Sequence, residues 1–224
     1  MQLRSKLVLV AFVSASVVLA QTRTVTGVVN SSLPKFQFLI HEADGDGDSA
    51  RRIVSIDVQS AGKTVQTIRY SNDEDAPAGS SPGPDVSLED VNCDGYKDLL
   101  VSRFVNVHGE SWFYLYRFDP KRGRFVEYAP FSDLPYVDVD CRTKVVKTYV
   151  NTGAAGCMYE VGQYRWRNGV LLPVRLESQD TSDGNSFTRT IKIWQKGKEK
   201  VLSQQTVPVD DCHAPDEPMR SPRK

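Results

Sequence analysis

Histidine is scarce in this chain: His41, His108 and His213 are the three in 224 residues. None falls in a Gly-x-Ser-x-Gly or Cys-His pattern, so the common nucleophile–base pairings have no residues to build on. A surplus of one charge is also lacking. Lys and Arg number 28 against 28 Asp and Glu, and no basic stripe stands out, which removes nucleic acid as an expected partner. A zinc site is the competing use of the cysteines, but there is no Cys-x-x-Cys pair and only three histidines are present, which speaks against it. Helical periodicity is weak throughout. One apolar run exists, residues 7–20, and it is shorter than the ~20 residues a membrane-spanning helix needs.

That run follows Arg4 and Lys6 and ends in Val18-Leu19-Ala20. A charged start, an apolar middle and a small final residue predict a secretory signal peptide over 1–20, cleaved after Ala20. No cysteine follows it, so the mature chain is expected free in the periplasm or outside the cell. Losing Arg4 and Lys6 takes two of the 28 basic residues and leaves the mature chain slightly acidic. The expected division is an N-terminal segment at 21–34, a β-rich domain at 35–207 and a flexible tail at 208–224.

Cys93, Cys141, Cys157 and Cys212 all lie in the mature chain. An even count in an oxidising compartment predicts two disulfides. Of the three possible pairings, Cys141–Cys157 with Cys93–Cys212 is the expected one, since Cys141 and Cys157 flank a predicted hairpin. Closing a loop of that size is worth ~3 kcal/mol in the chain-entropy model.

Period-two alternation recurs along the chain. It predicts strands at 35–40, 52–58, 65–68, 99–102, 112–118, 125–126, 144–150, 161–166, 170–176, 188–195 and 201–207. Asn168-Gly169 is a strong hairpin signal, and Gly62-Lys63 and Lys196-Gly197-Lys198 read as turns. Residues 71–84 read as a loop, Phe131–Leu134 as at most one helical turn. The fold class is all-β, a mostly antiparallel sandwich or a small propeller-like or barrel arrangement.

DVNCDGYKD, residues 90–98, places like charges close together, and something must neutralise them. Asp90, Asn92 and Asp94 hold positions 1, 3 and 5 of a calcium-type loop. Gly95 stands at the sharp turn, Tyr96 offers its carbonyl, and Asp98 sits at position 9. Every donor is oxygen, as a hard cation such as Ca2+ prefers. Position 12 is Val101 and a strand follows, so this is not an EF-hand but the shorter strand–loop–strand type. The competing reading is a solvated acidic turn. Asp44-Gly45-Asp46-Gly47-Asp48 lacks a ligand in register beyond Asp48 and reads as a flexible turn.

Asn151-Thr152-Gly153-Ala154-Ala155-Gly156-Cys157-Met158-Tyr159 joins two strands through small residues, which permit close approach to another surface. Tyr159 reads either as an interface anchor or as a core residue of a glycine-containing hairpin.

Residues 88–99, Leu115–Pro120, Gly123–Val126 and Tyr164–Gly169, in that order and spacing, resemble a bacterial periplasmic family. Its members are similar to inhibitors of invertebrate-type lysozymes, and include immunity proteins against peptidoglycan-cleaving effectors of type IV secretion systems. The resemblance covers roughly residues 35–176. It implies a calcium loop at Asp90, Asn92, Asp94, Tyr96 and Asp98, and an inhibitory loop carrying Thr152, Gly153, Gly156 and Tyr159. The partner it implies is a lysozyme-like peptidoglycan hydrolase whose cleft the loop occludes. Thr152-Gly153 stands where the family has a Ser-Gly type of loop, and the lipid anchor of many such immunity proteins has no counterpart here. The chain is therefore expected not to be an enzyme. A structural or adhesive calcium module of the integrin-repeat kind is the alternative, but it calls for tandem acidic loops, and one good copy is present.

Overall fold

The computed structural model describes residues 21–43, 51–70, 86–181 and 185–212. The predicted turn at 44–48, the loop at 71–84, the signal segment and the end of the tail lie outside the described residues. Fourteen strands follow in chain order: β1 (Gln21–Gly27), β2 (Phe36–Ala43), β3 (Arg52–Ser60), β4 (Lys63–Arg69), β5 (Val86–Glu89), β6 (Asp98–Val105), β7 (Ser111–Asp119), β8 (Arg124–Glu127), β9 (Pro135–Asp140), β10 (Val145–Gly153), β11 (Met158–Arg167), β12 (Val170–Thr181), β13 (Ser186–Gln195) and β14 (Lys198–Pro208). Short 3₁₀ turns at Ala129–Phe131, Ala154–Gly156 and Val209–Asp211 are the helical elements among the described residues.

Every pairing is antiparallel. β1-β2-β3-β4 form one sheet. The other runs β14-β13-β12-β11-β10-β9-β7-β6-β5, with β8 added to β7. This second sheet forks at β7. The start of β7 pairs with β9 through Ser111 and Trp112 alone, while its end pairs with β8 from Tyr116 to Asp119.

The fork sets the packing. Leu99, Val101, Tyr114, Tyr116, Phe118 and Phe125 from β6–β8 pack against Phe36, Phe38, Ile40, Ile56 and Val58 of the first sheet. Phe36 meets Phe118 edge-on at 5.7 Å, and Phe38 meets Phe125 edge-on at 5.6 Å, the arrangement that aromatic quadrupoles favour. Alternate residues of the same strands, Leu100 and Leu115, point the other way, into a second core with Val91, Phe131, Val146 and Trp166. β6 and β7 are thus covered on both faces. That is why Asp98–Ser102 is buried without interruption, as in any strand with no solvent face. Gln66 of β4 adds a polar tie: its side chain both donates to and accepts from the Phe125 backbone, each at 2.8 Å.

The all-β sandwich is as expected, with no closed barrel. The N-terminal segment holds a strand the sequence does not announce. β1 reads QTRTVTG, with one aliphatic side chain, because it is an edge strand that needs only backbone pairing to β2.

The disulfides correct the expected pairing. They join Cys93 to Cys141 and Cys157 to Cys212. Cys141 lies in the β9–β10 turn and Cys157 beyond the far end of β10. Nine extended residues separate the two by roughly 30 Å, against Cα separations under ~7 Å that a disulfide can bridge.

Candidate functional site

The acidic loop is closed by its own side chains. Asp90 accepts the amides of Asp94 and Gly95 at 3.0 and 2.9 Å. Asn92 Oδ1 also accepts the Asp94 amide, and Asn92 Nδ2 donates to Asp94 Oδ2. Asp94 Oδ1 accepts the Tyr96 amide. Gly95 takes φ +91°, the left-handed turn that favours glycine. Much of the neutralisation asked for by these carboxylates therefore comes from backbone N–H dipoles. Asn30, just after β1, donates to the Gly95 carbonyl, and the Lys97 amide donates to Val29, so the first sheet's connection grips the loop.

Asp98 behaves differently. It is fully buried at the start of β6, and its oxygens accept the amides of Val91 at 3.2 Å and Phe118 at 3.0 Å. Burial pushes its carboxyl up to about 7; the Phe118 amide opposes that shift and the Asp94 and Asp90 charges add to it. Asp98 fastens the loop to β7.

The donor set suits a hard cation in kind, because Asp90, Asn92 and Asp94 bring side-chain oxygens around one turn. Among the described residues, no three His, Cys, Asp or Glu side chains are placed to hold a metal ion. A cation here would lean on Asn92 and on backbone oxygens, a weak arrangement of the kind found in extracellular modules.

The β10–β11 connection forms the second part of the site. Thr152, Ala154 and Ala155 are exposed, while Gly156 is buried. Ala154 and Ala155 both take left-handed backbone angles, φ +48° and +53°, flanked by Gly153 at +144° and Gly156 at +96°. An L-residue pays ~1–2 kcal/mol for that region, so the shape is imposed by its anchors. Asn151 caps the Gly153 amide with its own Oδ1 and donates its backbone N–H to Glu110 Oε1. Cys157 N–H closes on the Ala154 carbonyl, Gln179 Nε2 donates to the Cys157 carbonyl at 2.8 Å, and the disulfide ties Cys157 to Cys212, just past the 3₁₀ turn that follows β14.

Tyr159 is not at the tip of this loop. It is 2 % exposed, in the core, with its hydroxyl donating to Glu177 Oε1 at 3.1 Å. Burial, with the Glu177 charge beside it, pushes the phenol up to about 12. Glu177 is held in turn by Arg175 at 2.8 Å and by Arg189, whose Nε lies 2.9 Å away. Burial works against the Glu177 carboxylate, but hydrogen bonds from Arg175, Arg189 and Tyr159 outweigh it and hold the group below the usual range. Tyr159 thus braces the loop from behind. Thr152 is the hydroxyl that faces outward, and Gly153 and Gly156 shape the turn.

Glu177, Gln179, Arg189 and Glu110 are the contributors that sequence reading does not single out. Glu177 and Gln179 come from β12, Arg189 from β13 and Glu110 from the β6–β7 connection, and only the folded arrangement of the strands brings them to the loop.

No family model and no curated protein matches this chain. A solved structure described as "Structure of a Xanthomonas Type IV Secretion System related protein" is similar to it, with a TM-score of 0.55 and 16 % identity over 82 % of this chain and 99 % of that one. At that identity the likeness is one of fold.

Proposed function

We propose that the mature chain is an extracytoplasmic protein inhibitor of the immunity type, which blocks a lysozyme-like peptidoglycan hydrolase by placing its β10–β11 loop in the catalytic cleft. The observation that carries this reading is the loop itself: an exposed small-residue turn in a costly backbone conformation, anchored by a disulfide, Gln179 and Glu110. A turn ordered before contact loses little entropy on binding. Two disulfides suit an oxidising compartment. Further support comes from the four sequence blocks resembling lysozyme inhibitors, and from the fold shared with a type IV secretion system related protein.

Glycosidases cleave with two carboxyl groups flanking the sugar bond. The Thr152 hydroxyl and the backbone N–H groups of the turn are hydrogen-bond donors suited to such carboxyls, each bond to a charged group being worth ~1.5–3 kcal/mol. Small side chains at 153–156 let the turn enter a groove shaped for a sugar. Tyr159 acts from inside, its buried ring packed behind the base of the loop. Ca2+ is proposed as a weak ligand of Asp90, Asn92, Asp94 and the Tyr96 carbonyl, with Asp98 behind them, where it would stiffen the acidic loop. Calorimetric titration with Ca2+ that gives no heat removes it.

The direct test is turnover of lysozyme-like hydrolases on purified peptidoglycan with the mature protein added. Stoichiometric loss of activity is expected. Ala155→Asp, at the exposed tip, should abolish inhibition while leaving the thermal midpoint in place. Full turnover by every hydrolase tested, with folded wild-type protein present, overturns the proposal.

A further inference from the structure

Away from the β10–β11 loop, three turns meet around a cavity of about 300 Å3. They are the acidic loop, the β9–β10 turn carrying Lys144, and the Asn168-Gly169 turn between β11 and β12. The Cys93–Cys141 disulfide staples the first to the second. Trp166 supplies an aromatic wall and fixes the acidic loop, its indole N–H donating to the Val91 carbonyl at 2.7 Å.

Arg117 of β7 also lines this cavity. Its guanidinium carbon lies 4.6 Å from the Tyr128 ring centre and 5.4 Å from that of Trp166, and its Nη1 donates to the Gly169 carbonyl at 2.8 Å. Its Nε is buried beneath these rings and has no hydrogen-bond partner among the described residues, so the Nη atoms are the ones that can meet a ligand. Among the described residues no carboxylate pairs with Arg117 or Lys144. Asp94 lines the same cavity, with its oxygens taken up by the Tyr96 amide and Asn92 Nδ2.

We propose that this cavity is a binding site for a singly charged carboxylate. Among the side chains that line the cavity, two cations, Arg117 and Lys144, stand against one carboxylate, Asp94, which suits a monoanion, while Asp94 disfavours a doubly charged phosphate. A guanidinium held flat by aromatic rings presents its donors in the plane that a carboxylate matches. Trp166 gives an apolar surface for the rest of the molecule. The carboxylate comes either from a free small acid or from the C-terminus of a peptide. This site is independent of hydrolase inhibition and is tested without a hydrolase.

The readout is the Trp166 indole N–H signal in 1H–15N spectra of the mature protein, with Trp112 and Trp194 as internal controls. N-acetyl-alanine and an acetylated tripeptide with one free C-terminal carboxylate are the probes, and N-acetyl-alaninamide is the control. Saturable movement of Trp166 with the acids and none with the amide is expected, and the tighter of the two acids identifies the source. Lys144→Gln, at an exposed position that leaves the fold intact, should weaken binding about tenfold, the loss of one charge-assisted contact. Arg117→Lys should weaken it further, since lysine cannot reproduce the flat fork. An unmoved Trp166, equal movement with the amide, or wild-type affinity in Lys144→Gln overturns the proposal.

Discussion

Glu177 joins three strands through one carboxylate, receiving Tyr159 from β11, Arg175 from its own strand and Arg189 from β13. Its side chain is 10 % exposed, whereas its arginine partners are about a third exposed or more, so solvent screens part of their attraction. Glu177→Gln should cost about 1–3 kcal/mol at neutral pH, measured by urea unfolding. The pH dependence follows from the lowered folded value. The contribution is fully present above the ordinary glutamate value of 4.5 and is lost as pH falls through the folded one. The gap between wild type and Glu177→Gln should therefore hold steady at neutral pH and close in acid below about 4.5. A gap that widened in acid would refute the assignment of Glu177 as the ionised hub. Tyr159→Phe removes a single donor and should cost about 1 kcal/mol. Because the ring stays in place behind the loop, inhibition by the folded variant should match that of wild type.

At the scale of elements, the two disulfides hold different parts. Cys93–Cys141 closes the acidic loop onto the β9–β10 turn, and Cys157–Cys212 pins the base of the β10–β11 loop to the segment just past β14 and its 3₁₀ turn. Hydrogen exchange should separate them. Cys157→Ser with Cys212→Ser should speed exchange of the Gly153 and Cys157 amides and leave residues 90–98 protected, and the Cys93, Cys141 pair of changes should do the reverse. Parallel loss of protection in both loops from either pair would contradict the division. The hairpins were legible in the sequence because their signals are local: Asn168-Gly169 does carry the β11–β12 turn, with φ +52° and +76°. The acidic loop was legible for the same reason, its oxygens and its glycine lying within nine residues. β1, β5 and β9 were not: β1 has a single aliphatic residue, while β5 and β9 do alternate, as Val86-Ser87-Leu88-Glu89 and Val137-Asp138-Val139-Asp140, but over runs too short to stand out beside the turn-rich segments that precede them. Nor was the cysteine pairing, which depends on Cys141 and Cys157 standing at opposite ends of β10. Tyr159 carried two readings, and only the register across β11 and β12, which sets Glu177 opposite Val161 two pairs along from Tyr159 and so on the same face, brings its hydroxyl to that carboxylate.

The whole molecule depends on β6 and β7 serving two cores at once. Leu99 and Val101 face the first sheet while Leu100 faces Trp166 and Val146. The unbroken run Leu99-Leu100-Val101 therefore records burial on both sides, which a sequence reading in terms of a two-layer sandwich does not assign to either face. If the shared strands couple the cores, the described domain unfolds as one unit. Phe38→Ala empties the first core and Leu100→Ala the second, and each should cost about 2–5 kcal/mol. Each should also lower a single transition followed alike by tryptophan fluorescence, whose Trp166 reports the second core, and by far-ultraviolet circular dichroism, which reports both. Coincidence of the two probes is the signature of two-state behaviour. Were Phe38→Ala to melt the β1–β4 sheet early while the Trp166 signal stayed at its wild-type midpoint, the cores would be independent, and the loops on β10 and β11 would not need the first sheet to hold their shape.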